Sequence, residues 1–143
     1  MRGKYAIGVG LLATAFVAGV AVGNGPLVKA QSKNRVLEIR TYTTSEGRLD
    51  ALVDRMGHGE SQAFERAGMQ LVGFFVAAEA PRSQDTFVYI LGHESRDAAT
   101  KSWAKFREDP QWLEVRARSE AAGKVVAKTE SLFVTPLDFS SLK

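Results

Sequence analysis

Glu38, Arg40 and Tyr42 alternate along the segment VLEIRTY, so any strand built from it carries all three on one face. A guanidinium beside a phenol offers a forked pair of donors and a further hydrogen bond to an anionic group. Glu38, two residues from Arg40, can instead neutralise it. The row therefore reads either as a solvated face with a weak ion pair or as the polar wall of a pocket. His58 and His93, the two histidines, are the other candidates for a general base or a single metal ligand. No His-x-x-x-His and no carboxylate-rich spacing accompanies them, so neither a metal site nor a cofactor is read from the chain. His58 lies between Gly57 and Gly59, which leave it room to face a cavity. His93 ends a strand-like run two residues before Ser95, where a bond to backbone is the plainer use. With Phe75 these make a candidate pocket of Glu38, Arg40, Tyr42, His58, Phe75 and His93. Trp103 and Trp112 fall on helical stripes and read as core, with stacking in a pocket as their other use. No serine-nucleophile motif or phosphate-binding glycine loop appears, since Gly8-Val9-Gly10 lies inside an apolar leader.

The elements that must position these groups follow from periodicity. Residues 36–42 form a strand whose other face, Leu37, Ile39 and Thr41, suits packing under helices. Thr44-Ser45-Glu46-Gly47 is a turn with a candidate N-cap, after which Leu49, Leu52, Val53 and Met56 recur at helical spacing. The two glycines around His58 each cost about 1 kcal/mol of helix propensity relative to Ala, which points to a bend or a close backbone approach. Ala63, Phe64 and Ala67 resume the buried face, and Gly68 suits the residue just past a helix end. Residues 69–78 and 86–93 are strands joined by a short turn, hence an antiparallel hairpin, with Phe74 and Phe75 on opposite faces. Ser95 caps a helix bearing Ala99, Trp103 and Phe106, and Asp109-Pro110 starts another that Gly123 closes. Residues 124–135 are the last strand. The order β-α-β-β-α-β is the ferredoxin-like split arrangement, an α+β fold with a four-stranded antiparallel sheet and helices on one face. The second sheet face, assigned Glu38, Arg40, Tyr42 and one of the two phenylalanines, then needs a cover, and a symmetric dimer pairing two sheets supplies it.

Length and charge bound the rest. The chain has 143 residues, enough for one domain. Arg2, Lys4 and Lys29 lie in the first thirty residues with no Asp or Glu, so the remainder holds 16 Lys+Arg (19 less 3) against 16 Asp+Glu and is neutral. A neutral domain has no electrostatic footprint for a phosphate backbone, which argues against nucleic-acid binding. The absence of Cys excludes disulfides and thiolate chemistry. Residues 1–30 read as an export signal: MRGK, an uncharged stretch 5–23, then Val28-Lys29-Ala30 before a cleavage at Gln31. That predicts a periplasmic or secreted protein, with a polar linker at 31–35. Retention of 5–23 as a membrane anchor is the alternative.

Four segments carry a family resemblance: EIRTYTTSEGRLDAL at 38–52, AGMQLVGFF at 67–75, FVYILGHESRDAATKSWAKFREDPQW at 87–112 and FVTPLDFSSL at 133–142. Together they resemble the NIPSNAP family over essentially all of residues 36–142. The resemblance implies a dimeric α+β barrel and a position at His58 that is often His. It also implies superfamily relatives among small monooxygenases and haem-handling enzymes. The family is similar to vesicle-trafficking and mitochondrial quality-control proteins of animals, roles that an exported, Cys-free single domain fits poorly. Two functions follow as expectations. One is a homodimer that binds a small apolar or aromatic molecule or acts through interaction. The alternative is a small oxygenase-like enzyme with His58 as base or ligand and Arg40 and Tyr42 orienting substrate. Convergence of His58, Arg40 and Tyr42 on one cavity would separate the two.

Overall fold

Strand β1 (Val36–Thr44) is paired on both edges, to β3 (Thr86–His93) and to β4 (Val126–Val134), while β2 (Gln70–Val76) pairs with β3. The computed structural model, which describes residues 35–142, thus has one antiparallel sheet of order β2-β3-β1-β4. Four helices pack on one side of it: α1 (Leu49–Arg55), α2 (Ser61–Arg66), α3 (Arg96–Glu108) and α4 (Pro110–Ser119). This is the α+β arrangement expected from the order of elements. The leader at 1–30 and most of the linker lie outside the described residues. Among the described residues no helix is long and apolar enough to cross a membrane.

Local chemistry accounts for the helix boundaries. Ser95 accepts from the Ala98 backbone N–H at 3.0 Å to start α3, and Asp109 accepts from the Trp112 N–H at 3.0 Å to start α4, with Pro110 at its first position. Gly68, at φ +90°, turns the chain out of α2 into β2. The expected side-chain cap in the turn 44–47 is absent. Helix α1 follows Arg48, whose guanidinium instead reaches the carbonyls of Ser119 (2.8 Å) and Gly123 (3.3 Å) and ties this turn to the end of α4.

The glycine pair around His58 produces both of the anticipated effects. Between α1 and α2 the backbone passes through a single π-type turn, Met56–Glu60, with non-helical torsions at His58 and Gly59. A Cβ on Gly59 would lie 2.6 Å from a methyl of Val115, so only glycine lets the kink rest against α4. The kink rotates Glu60 into the interior and leaves His58 outside.

One assignment is reversed. The face of β1 under the helices is Glu38, Arg40 and Tyr42, not Leu37, Ile39 and Thr41. Tyr42 belongs to the core with Leu52, Phe64 and Tyr89, and Trp103 of α3 bonds to Glu38. Alternation separates two faces but cannot say which one is covered, and polar residues can be buried when donors surround them. Register then puts Phe87, Tyr89, Leu91, Phe74 and Phe133 on the helix side. The open face carries Ile39, Val88, Ile90, Phe75 and Leu132, with Phe75 52% and Leu132 60% exposed. A sheet face that needs a cover is present, as anticipated, but it is built of aliphatic and aromatic side chains instead of the polar row.

Candidate functional site

Glu38 is the hub of the helix-covered side. Its carboxylate is 1% exposed and accepts four hydrogen bonds, two on each oxygen. Oε1 accepts from Arg40 Nη1 (2.9 Å) and Ser131 Oγ (2.7 Å). Oε2 accepts from Trp103 Nε1 (2.7 Å) and pairs with His93 Nε2 (3.1 Å). The donors come from β1, β3, β4 and α3, so one side chain joins three strands and a helix. Burial pushes the Glu38 pKa up, but the bonds from His93, Ser131, Trp103 and Arg40 outweigh it and hold the group at about 2. The carboxylate is therefore ionised and fully engaged, with no lone pair left to take a proton from a substrate.

Above this hub lies a cleft of about 490 Å³ between the β1–β4 half of the sheet and α3. Arg40, Trp103, Phe106, Ser131 and Phe133 are among its walls, with Arg96, Thr100 and Arg107 along the α3 side. The Arg40 guanidinium lies 4.2 Å from the centre of the Trp103 ring and within 5.7 Å of Tyr42, stacked as well as ion-paired. Desolvation alone would lower its pKa, but Tyr89, Tyr42 and Glu38 around it raise it further above the arginine range. Arg40 Nε and His93 Nδ1 are buried without a hydrogen-bond partner.

Behind the cleft runs a second buried polar chain. Tyr89 donates its hydroxyl to Tyr42 (2.7 Å), Tyr42 donates to Glu60 Oε1 (3.4 Å), and Arg55 Nε donates to Glu60 Oε2 (2.8 Å). Burial, reinforced by Glu60, pushes the Tyr42 phenol up to about 12, and burial likewise raises Tyr89 well above the tyrosine range. Burial also raises Glu60, against the pull of Arg55. At neutral pH the tyrosines keep their protons. The arrangement is suited to holding a molecule in place.

Of the six candidate residues, the structure brings four together. Glu38, Arg40 and Tyr42 line the cleft, and His93 supports Glu38 from beneath, using the carboxylate and not backbone. His58 is elsewhere. Its side chain is 78% exposed and bonds to Asp54, over a separate depression of about 540 Å³ between α2 and α4. Phe75 is on the open sheet face. Trp103, read as core, is half-buried and lines the cleft. Sequence reasoning missed Ser131, Phe133, Arg96 and Arg107. The spacing of Arg96, Thr100, Trp103 and Arg107 at i, i+4, i+7 and i+11 was the available signal, since it marks one helical stripe. Among the described residues no group of three His, Cys, Asp or Glu side chains stands close enough to hold a metal ion.

Comparison with known proteins agrees with this architecture. A solved NIPSNAP family protein from Agrobacterium tumefaciens superposes with a TM-score of 0.67 at 22% identity, covering 77% of this chain and 100% of that one. A second from the same organism, of unknown function, gives 0.66 at 23% identity, covering 78% and 96%. A NIPSNAP-like domain protein from Burkholderia xenovorans gives 0.65 at 16% identity, covering 76% and 90%. At these identities the likeness is one of fold. No curated protein matches the chain. The family model for NIPSNAP matches residues 37–141, from the strand that bears Glu38 to the tail beyond β4, and on that match the chain belongs to the NIPSNAP family.

Proposed function

We propose that this chain is an exported, homodimeric small-molecule-binding protein whose ligand sits in the cleft over Glu38, Arg40 and Trp103. The observation that carries the reading is the cleft itself: about 490 Å³, aromatic-walled, with polar groups held in fixed positions by a saturated buried carboxylate. Pre-positioned donors and flat apolar walls are what a binding site for a small molecule requires. The dimer is supported by the open sheet face, where Phe75 and Leu132 project among Ile39, Val88 and Ile90. Export rests on the leader pattern of residues 1–30. The oxygenase alternative required His58 in the same cavity as Arg40 and Tyr42. His58 lies on the outer surface, away from Arg40 and Tyr42, which leaves the oxygenase alternative without its base in this cleft.

Native mass spectrometry of residues 31–143, prepared from the producing cell, tests the proposal. A dimer carrying a co-purified small mass is expected. Arg40→Ala should lose that mass while His58→Ala retains it. A monomer would remove the paired-sheet reading. A ligand that survives Arg40→Ala would move binding out of this cleft.

A further inference from the structure

The charge of the cleft is not balanced. Four ionisable side chains line it in addition to Tyr42: Glu38, Arg40, Arg96 and Arg107. Glu38 and Arg40 neutralise each other, and the Glu38 lone pairs are all occupied. Arg96 and Arg107 remain, and among the described residues neither enters an ion pair. They stand at the two ends of the α3 stripe that faces the cleft, about 16 Å apart along the helix axis at 1.5 Å per residue. Trp103 lies between them.

Arg96 is the better prepared of the two. Its guanidinium carbon lies 3.4 Å from the centre of the Phe133 ring, so the planar group is stacked against an aromatic platform. Stacking uses the face of the guanidinium and leaves its in-plane N–H fork available, the geometry that matches a carboxylate bidentately. The ring of Phe133 and the indole of Trp103 then offer apolar surface to whatever the carboxylate is attached to.

We propose that the cleft selects small organic anions with a flat aromatic body, the carboxylate held by Arg96 and the ring against the surface of Trp103 and Phe133 that Arg40 and Arg96 leave uncovered. Arg107 adds to the attraction at longer range. The inference rests on the cleft being the ligand site and narrows the ligand from an apolar or aromatic molecule to an aromatic carboxylate.

The test uses 2-naphthoate as probe and 2-naphthamide as its neutral counterpart of the same shape. Binding to residues 31–143 is followed through the indole N–H resonance of Trp103, assigned with Trp112→Phe. The expected result is that 2-naphthoate binds about tenfold or more tightly than the amide, roughly the value of one charge-assisted bidentate contact. Arg96→Gln should abolish that preference and Arg96→Lys should recover only part of it, because an ammonium lacks the fork. Arg107→Gln should weaken 2-naphthoate less, by an amount that disappears in high salt. Equal affinity for acid and amide, or a preference that survives Arg96→Gln, would overturn the anion assignment and leave the cleft as a ligand site. Failure of both probes to shift Trp103 at millimolar concentration would overturn the assignment and the cleft reading together. Unchanged thermal unfolding of the Arg96 variants establishes that their effect is on binding.

Discussion

The indole of Trp103 donates to the carboxylate of Glu38 across 2.7 Å, and through that bond α3 is tied to a central strand of the sheet. The same indole ring receives the guanidinium of Arg40 at 4.2 Å. One aromatic side chain is therefore at once a donor to the buried acid, a platform for its counter-ion and a wall of the cleft. It supplies the one donor to Glu38 that comes from the helix layer, beside those of Arg40, His93 and Ser131 from the sheet, and so lets the acid be buried under α3 with both oxygens satisfied.

Glu38→Gln should be the most damaging conservative change in the domain. An amide turns one acceptor into a donor that faces donors, and Arg40 loses its counter-ion. A loss of about 3–5 kcal/mol at pH 7 is expected for breaking a buried pair. The pH dependence has a definite sign. The folded-state pKa of Glu38 is about 2 against an ordinary 4.5, so its stabilising contribution is present above pH 4.5 and lost as pH falls toward 2. The gap between wild type and Glu38→Gln should thus narrow by about 3 kcal/mol across that window, read from urea titrations at several pH values. A gap independent of pH would contradict the assignment.

The Arg55–Glu60 pair carries the opposite dependence. Burial raises Glu60, so its contribution is fully present below its unfolded pKa and fades as pH rises through the folded one. Arg55→Met strands the carboxylate and should cost about 3–5 kcal/mol at pH 8. The cost should shrink at pH 5, where Glu60 can take up a proton. In the double variant Arg55→Met with Glu60→Gln that pH dependence should vanish. Equal destabilisation of Arg55→Met at both pH values would refute the pairing argument.

Gly59→Ala should destabilise by about 1–3 kcal/mol through overpacking, because its new Cβ would meet Val115 at 2.6 Å. Val115→Ala in the same chain should restore part of the loss, although the substitution alone is mildly harmful. Without that rescue, the glycine would be needed for its backbone and not for the close approach to α4.

The open sheet face is tested by Leu132→Glu. Leu132 is 60% exposed in the single chain and opposite Ile39 in register, so a carboxylate there leaves the fold intact but puts a charge into the interface of the homodimer proposed above. Sedimentation should show the dimer dissociation constant raised by about a hundredfold or more, with monomer unfolding unchanged. An unaltered dimer would place the contact elsewhere.

The relation between sequence and structure can be followed through a few residues. Ser95, Asp109 and Gly68 act within one turn of chain, so their capping roles were legible from neighbours alone. His58 was a reasonable candidate for the same local reason, since flanking glycines announce a bend. The direction of the bend depends on Val115, more than fifty positions along the chain, and it turns Glu60 inward and His58 out. Phe75 likewise could be separated from Phe74, but its side of the sheet could not be named.

The chain's local pattern was enough to establish the order of strands and helices, their antiparallel hairpin and the resemblance that the family match affirms, because periodicity and caps are short-range properties. Which face of β1 is covered was decided only in three dimensions. Four donors, from His93, Trp103, Ser131 and Arg40 itself, converge on Glu38, and that convergence is what lets the face bearing Glu38 and Arg40, and not the face bearing Ile39, lie under the helices.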